Sequence, residues 1–431
     1  MRFSIETLGS KVNQFETQAL ELLLTSRGHT ECAPGEDCDA CIINTCAVTA
    51  ESGRKSRQAI RRARKSAPSA VIAVCGCYSQ ISPEEVENLG ADLVAGSGGR
   101  AAFVTQLEAV YADRVFRRDI DDPMKRRGFE SLPTGGLSGR TRAMLKIQDG
   151  CSNFCTYCVI PYARGPVRSL PLKDAAAEAV RLRDAGYREI VLTGIEISSY
   201  GRDLENTSLI DAVRAVSEAA PECRIRLGSL EPRTVTEEFA DALVPLENVC
   251  RHFHLSLQSG CDATLRRMGR RYGTARFMQS VSILRDRFPG CGITTDLIVG
   301  FPGETDGEFN ETLDFIRKCS FSAMHVFPFS PRPGTPAASM QDQIDKQTKH
   351  DRARIAGAAA LEMKRAFLDS CRGSVQKVLF ETESGGRSRG HAGNYAEVEV
   401  PGTGFHNTVL SVMITGVRSG TLTGEVVAET D

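Results

Sequence analysis

The chain has 431 residues, 41% apolar and 25% charged. These proportions exclude a disordered, collagen-like or mucin-like protein and, at about 150 residues per domain, predict roughly three units. Lys and Arg number 53 against 54 Asp and Glu, which excludes bulk charge as a means of holding a polyanion and leaves only local clustering. No run approaches the ~18 apolar residues of a membrane span, and the start (Met1, Arg2, Phe3, Ser4) lacks an apolar signal region, so a cytoplasmic protein without membrane contact is predicted.

Residues 1–112 alternate strand-like runs (3–7, 40–44, 70–75, 91–95) with stretches at helical spacing (16–26, 84–89). This β-α-β alternation predicts an N-terminal parallel α/β sheet domain. Residues 113–138 are charged and then rich in Gly, Pro and Ser, the composition of a linker. Within 139–370, six strand candidates (143–148, 189–193, 224–229, 252–257, 292–299, 323–329) alternate with helices (172–185, 209–219, 275–288, 308–319). That pattern predicts a central partial (βα)6 barrel with its chemistry on the loops after the strands. A helix over 346–370 leads into 371–431, where short Val- and Thr-rich strands (375–380, 396–400, 409–415) predict a small all-β barrel. The fold class is therefore α/β with an all-β C-terminal unit.

Of 15 cysteines, six lie between Cys32 and Cys77, three within residues 151–158, and six are scattered. Each scattered thiol reads as a small buried hydrophobe. The sharpest signal is Cys151-Ser152-Asn153-Phe154-Cys155-Thr156-Tyr157-Cys158, a CxxxCxxC run directly after the first barrel strand. Three thiolates from one loop can hold three irons of a 4Fe-4S cube and leave the fourth iron open to S-adenosylmethionine. Zinc prefers four closed ligands, and no fourth Cys or His lies nearby in the sequence.

These residues resemble the radical SAM signature, and other runs resemble the methylthiotransferases that modify tRNA. The N-terminal matches are Thr7-Leu8-Gly9, Lys11-Val12-Asn13-Gln14, Asn44-Thr45-Cys46-Ala47-Val48-Thr49 and Gly76-Cys77-Tyr78; PYARGPVRS (161–169), LTGIEISSYG (192–201), Arg226 to Pro232, His254 to Gly260 and TDLIVGFPGET (295–305) follow. The wording is closest to the MtaB group, which acts on N6-threonylcarbamoyladenosine, rather than to MiaB or RimO relatives. The last unit resembles TRAM, an RNA-binding barrel.

The resemblance implies two 4Fe-4S clusters, S-adenosylmethionine, tRNA as substrate, an electron donor of flavodoxin or ferredoxin type and a sulfur donor. Its second cluster uses three N-terminal cysteines. Cys46 and Cys77 match, but Ser10 stands at the first position. The strand pattern places residues 10, 46 and 77 just beyond parallel strands, where they can converge on one sheet edge. A serine oxygen is a harder, less acidic ligand than a thiolate, so a weakened second cluster is expected; Cys75 and Cys41 are alternative ligands.

Candidate S-adenosylmethionine contacts are the polar residues at or just beyond barrel strands: Glu196, Ser229, Glu231, Ser256 and Gln258, with the Gly300 turn giving close backbone approach. Each polar residue could instead cap a turn. Arg164 and Arg168 read as structural ion pairs or phosphate contacts. Residues 54–65 hold seven basic residues (Arg54, Lys55, Arg57, Arg61, Arg62, Arg64, Lys65) and no acid, which on a helix gives one cationic face suited to RNA phosphates. Arg266, Arg267, Arg270 and Arg271 form a second basic cluster. From Ala366 onward there are 5 basic and 8 acidic residues, so RNA contact there must rest on stacking, with Tyr395 and Phe405 as candidates. The expected reaction is 2-methylthiolation of N6-threonylcarbamoyladenosine at tRNA position 37. The alternatives are methylthiolation of a ribosomal protein and a non-catalytic iron-sulfur RNA-binding role.

Overall fold

The structure, a computed structural model, describes residues 1–33, 36–133, 135 and 140–427. The N-terminal unit runs β1 (Arg2–Thr7), α1 (Lys11–Ser26), β2 (Thr30–Glu31), β3 (Ala40–Thr45), α2 (Ala50–Ser66), β4 (Val71–Gly76), α3 (Cys77–Ile81), α4 (Pro83–Asn88), β5 (Leu93–Ala95), α5 (Arg100–Asp113) and β6 (Arg117–Asp119). Its sheet has the order β2-β1-β3-β4-β5-β6, parallel throughout. Successive strand residues point to opposite faces. Ile42 and Ala73 therefore pack with Leu20 and Phe103 on one side, and Ile43 and Val74 with Ile60 on the other. Ser10 caps α1, its hydroxyl accepting from the Asn13 amide at 3.4 Å, and a Thr49–Ser52 capping box starts α2.

The expected linker is mostly part of this unit. Residues 117–119 pair with β5 as the sheet's edge strand, and Arg126 holds Asp121 at 2.7 Å and Ser97 at 2.9 Å. Charge-rich sequence hid a strand too short to show periodicity. Residues 134 and 136–139 of that stretch lie outside the described residues.

The central unit comprises β7 (Arg142–Asp149), α6 (Ile160–Arg164), β8 (Arg168–Ser169), α7 (Leu172–Asp184), β9 (Glu189–Gly194), α8 (Leu209–Ala219), β10 (Arg224–Leu227), β11 (Ser229–Leu230), α9 (Glu237–Leu243), β12 (His252–Gln258), α10 (Asp262–Arg267), α11 (Thr274–Arg287), β13 (Gly292–Val299), α12 (Asp306–Cys319) and β14 (Ala323–Pro328). Six long strands form a partial barrel in two hydrogen-bonded segments, β10-β9-β7-β8 and β11-β12-β13-β14, joined by an Ile225–Val249 bridge. Its helices cover the outside, and the scattered cysteines Cys223, Cys250, Cys261, Cys291 and Cys319 are all buried.

α13 (Lys346–Ser370) leads to β15 (Val375–Ser384), β16 (Arg387–Ala392), β17 (Glu397–Pro401), β18 (Val409–Arg418) and β19 (Thr421–Val426), a closed TRAM-like barrel in the order β15-β16-β17-β19-β18. It docks under the central barrel. Arg224 donates to the Lys377 and His391 carbonyls and Arg226 to that of Gly393, each at 3.1 Å, while both hold buried Glu189.

Candidate functional site

The CxxxCxxC loop leaves β7 through Gly150, whose φ of +74° and proximity to the Pro166 carbonyl leave no room for a Cβ. The Cys151 amide donates to Gly165 at 3.0 Å and the Thr156 amide to Met268 at 3.0 Å, which pins the loop at both ends. Its three thiols line one cavity of about 150 Å³, together with Glu196, Ser229, Glu231, Ser256 and Arg270. Gln258 and Gly300 do not line it. Gln258 ends β12 with φ +68°, and Gly300 packs against Lys349 while its amide donates to Glu304 at 2.9 Å.

Burial pushes the Cys151 thiol up to about 11 and Cys158 to about 12. The cationic core of a bound iron-sulfur cluster would offset that cost by taking the thiolate forms. The cavity also holds an orphan: half-buried Glu196 keeps one carboxylate oxygen, itself out of solvent, without a hydrogen-bond partner among the described residues, and desolvation raises that group. A ligand ammonium would satisfy it. Three thiols from one loop and an unmet acceptor beside them thus fit a three-cysteine 4Fe-4S cluster with S-adenosylmethionine.

By sequence Arg270 belongs to a second basic cluster with Arg266, Arg267 and Arg271. Its Nη1 instead donates to the Cys155 sulfur at 3.1 Å, with the guanidinium 4.8 Å from the Tyr272 ring centre. Arg267 pairs with Glu308 at 2.6 Å. Nothing in the run Arg266 to Arg271 separates the one inward arginine from its neighbours.

At the carboxyl ends of the N-terminal strands, Ser10, Cys46 and Cys77 stand at one edge. Gly9, at φ +99°, packs so closely that a Cβ would come 2.5 Å from the Cys46 sulfur. The Cys77 sulfur accepts from Arg164 Nε at 3.2 Å. Arg332 is buried with an unpartnered Nε, and its charge interacts with Cys46. An arginine with an unmet donor beside two thiols fits an anionic thiolate cluster, although the third position offers a hydroxyl. Of the alternative cysteines, Cys41 is not placed to replace it, since it sits at the start of β3, 3.3 Å from Cys38, and Cys75 is wholly buried beside Ala73 and Phe103 with its charge environment including Cys77 and Arg164. Arg332, between two prolines after the last barrel strand, carried no sequence signal beyond its isolation.

Arg164 and Arg168 are buried ion-pair partners, out of reach of phosphate. Arg164 reaches Glu16 at 2.6 Å and Asp149 at 3.3 Å, and Arg168 lies 3.5 Å from Asp149. On α2, four of the seven cations are engaged by acids: Arg54 with Glu51 of the same helix, and Arg57, Arg62 and Arg64 with Glu85, Glu6 and Asp92 from other elements. Lys55, Arg61 and Lys65 have no ion-pair partner among the described residues.

The two stacking candidates are occupied. Tyr395 lies between His252 and His391, ring centres 4.7 and 5.0 Å away, with Arg226 4.8 Å from its ring centre. It is a docking residue between the two barrels, with no free face for a base. Phe405 packs on Phe380 at 5.6 Å, against the small barrel's core.

Residues 145–316 match the Radical SAM superfamily, and residues 2–96 match the uncharacterized protein family UPF0004. The chain is 38% identical over 407 residues, 93% of its length and 90% of the other's, to the threonylcarbamoyladenosine tRNA methylthiotransferase MtaB of Bacillus subtilis (strain 168). It is 32% identical over 442 residues, 99% and 93% of the two chains, to the tRNA-2-methylthio-N(6)-dimethylallyladenosine synthase of Alkaliphilus oremlandii (strain OhILAs). Among solved structures, the radical S-adenosylmethionine methyltransferase TsrM of Kitasatospora setae superposes with a TM-score of 0.59 at 15% identity, over 89% of this chain and 79% of that one. At that identity the likeness is one of fold. A barrel with three thiols on its first loop and this sequence match defines a radical S-adenosylmethionine enzyme. The chain belongs to the family of tRNA methylthiotransferases. No described helix is long and apolar enough to cross a membrane.

Proposed function

We propose that this enzyme converts N6-threonylcarbamoyladenosine at position 37 of tRNA, next to the anticodon, to its 2-methylthio derivative. The observation that carries the choice of substrate is the 38% identity to a relative named for threonylcarbamoyladenosine, against 32% to one named for dimethylallyladenosine.

In this reading Cys151, Cys155 and Cys158 hold the radical cluster. Glu196 accepts from the ammonium of S-adenosylmethionine, and Ser229, Glu231 and Ser256 wall its site. Arg270 offsets thiolate charge at Cys155. When bound, cluster and S-adenosylmethionine supply the radical chemistry that removes the unactivated C2 hydrogen, which no side-chain acid or base can take. Cys46, Cys77 and Ser10 hold a second 4Fe-4S cluster, with Arg164 and Arg332 balancing its charge. An electron donor of flavodoxin or ferredoxin type and a sulfur donor complete the reaction.

The test is anaerobic turnover of the reconstituted enzyme with two anticodon stem-loop RNAs, one carrying the threonylcarbamoyl base and one the dimethylallyl base. Methylthiolation of the first and not the second is expected. The reverse outcome overturns the assignment.

A further inference from the structure

A second cavity, of about 530 Å³, opens where α1, the central barrel and the TRAM-like barrel meet. Val191 of β9 lines it, and Glu196 of the radical-site cavity lies five residues further on. At about 3.3 Å per residue the two cavities are no more than roughly 16 Å apart along the barrel wall.

Its lining is cationic, with Lys11, Arg140, Arg142 and Arg226 against one acid, Glu381. Glu381 is already shared between Arg142 and His391, and Arg226 holds Glu189 at 2.7 Å. Neither Lys11 nor Arg140 is in an ion pair among the described residues, although the charge of Arg140 is felt at Glu21. Gln14 adds an amide one turn along α1 from Lys11. Two unpaired cations beside a free amide suit a small anion that also carries hydrogen-bonding groups.

We propose that this cavity binds the carboxylate of the substituent on N6 of the substrate adenosine, and so selects an acidic substituent over an apolar one. The inference rests on the substrate reading above and adds the residues that would enforce it. A carbamoyl-threonine arm is about as long as two extended residues, roughly 7 Å, so with the purine ring it fits the span between the cavities. An apolar arm would displace water from Lys11 and Arg140 without replacing the lost solvation, which disfavours it.

The test uses the full-length reconstituted enzyme and three stem-loop RNAs of one sequence. These carry at position 37 the threonylcarbamoyl base, its neutral carboxamide, or unmodified adenosine, and binding is read by fluorescence anisotropy at fixed salt. Wild type is expected to bind the acid RNA about tenfold more tightly than the carboxamide. Lys11→Met and Arg140→Gln should each erode that preference, and Lys11→Arg should retain it. Because Lys11 adjoins Ser10, iron content is measured on each variant, and Arg140→Gln provides a substitution away from the cysteines. If both variants weaken all three RNAs by one factor, the cations hold backbone phosphate and the proposal fails. It fails equally if they change nothing. Failure of the substrate reading looks different, because wild type would then methylthiolate a dimethylallyl RNA and leave the threonylcarbamoyl RNA unreacted.

Discussion

The Nε of Arg164 lies 3.2 Å from the sulfur of Cys77. The same guanidinium holds Glu16 at 2.6 Å and reaches Asp149, two residues before Cys151, at 3.3 Å. One side chain thus joins the N-terminal cysteine edge to the base of the radical-site loop. Arg100 and Lys146 complete a network around Glu16 at 2.9 and 3.5 Å, all of it buried. Removing one member of such a group leaves an uncompensated charge in a low-dielectric seam.

Arg164→Met is therefore expected to destabilise the protein by about 3–5 kcal/mol, because Glu16 and Asp149 each lose a cation. Arg164→Lys keeps the charge without the planar fork, so it should fall between the variant and wild type. Urea unfolding of the three proteins checks this; a loss under ~1 kcal/mol for the methionine variant would show that the seam does not depend on Arg164.

The same network sets an acid limit. Burial alone would raise Glu16, but Arg164, Arg100 and Lys146 bring it down to about 2. A folded-state value below the unfolded one of about 4.3 means that the unfolded chain binds more protons, so stability rises with pH across that window. The contribution is present above about pH 4.5 and lost as pH falls toward 2. Melting temperature measured from pH 6 downward should decline more steeply in wild type than in Glu16→Gln, which starts lower; parallel curves would remove Glu16 from the explanation.

On α2, the unpaired cations Lys55, Arg61 and Lys65 are expected to meet RNA phosphate, and the paired Arg54 and Arg62 much less. Arg61→Glu with Lys65→Glu should weaken tRNA binding and reduce the slope of log affinity against log salt by roughly 0.7–0.9 per lost contact. Neutralising Arg54 and Arg62 should move the slope less. An unchanged slope in the first variant would make the helix face merely solvated.

The cysteine loop and the strand order were legible because their signals are local: CxxxCxxC is one run, and strands such as 292–299 and the helix 346–370 match the structure residue for residue. Partners contributed by distant segments were not legible. The segment 54–65 contains no acid, yet Glu6, Glu85 and Asp92 come from other elements to neutralise it. By sequence Tyr395 reads as a stacking residue because it is aromatic in a barrel that resembles TRAM; its place between two histidines depends on a domain contact more than 140 residues away in sequence. Arg270 differs from Arg266 and Arg271 only in facing Cys155.

Ser10 is exposed and makes one long capping contact of 3.4 Å, so replacing it by cysteine should cost no more than about 1 kcal/mol of helix capping. Ser10→Cys adds a third thiol beside Cys46 and Cys77. It is expected to raise the iron retained after brief air exposure and the methylthiolated product per enzyme. If neither changes while Cys46→Ala and Cys77→Ala abolish activity, the serine oxygen or another group already completes a working site.

The most direct measurement is nucleoside mass spectrometry of total tRNA from cells with and without this gene. Loss of 2-methylthio-N6-threonylcarbamoyladenosine, with a matching rise in its unthiolated precursor and restoration by the wild-type gene but not by Cys155→Ala, is the predicted result. An unchanged level of that nucleoside, or loss of the dimethylallyl-type methylthio nucleoside instead, would contradict the assignment.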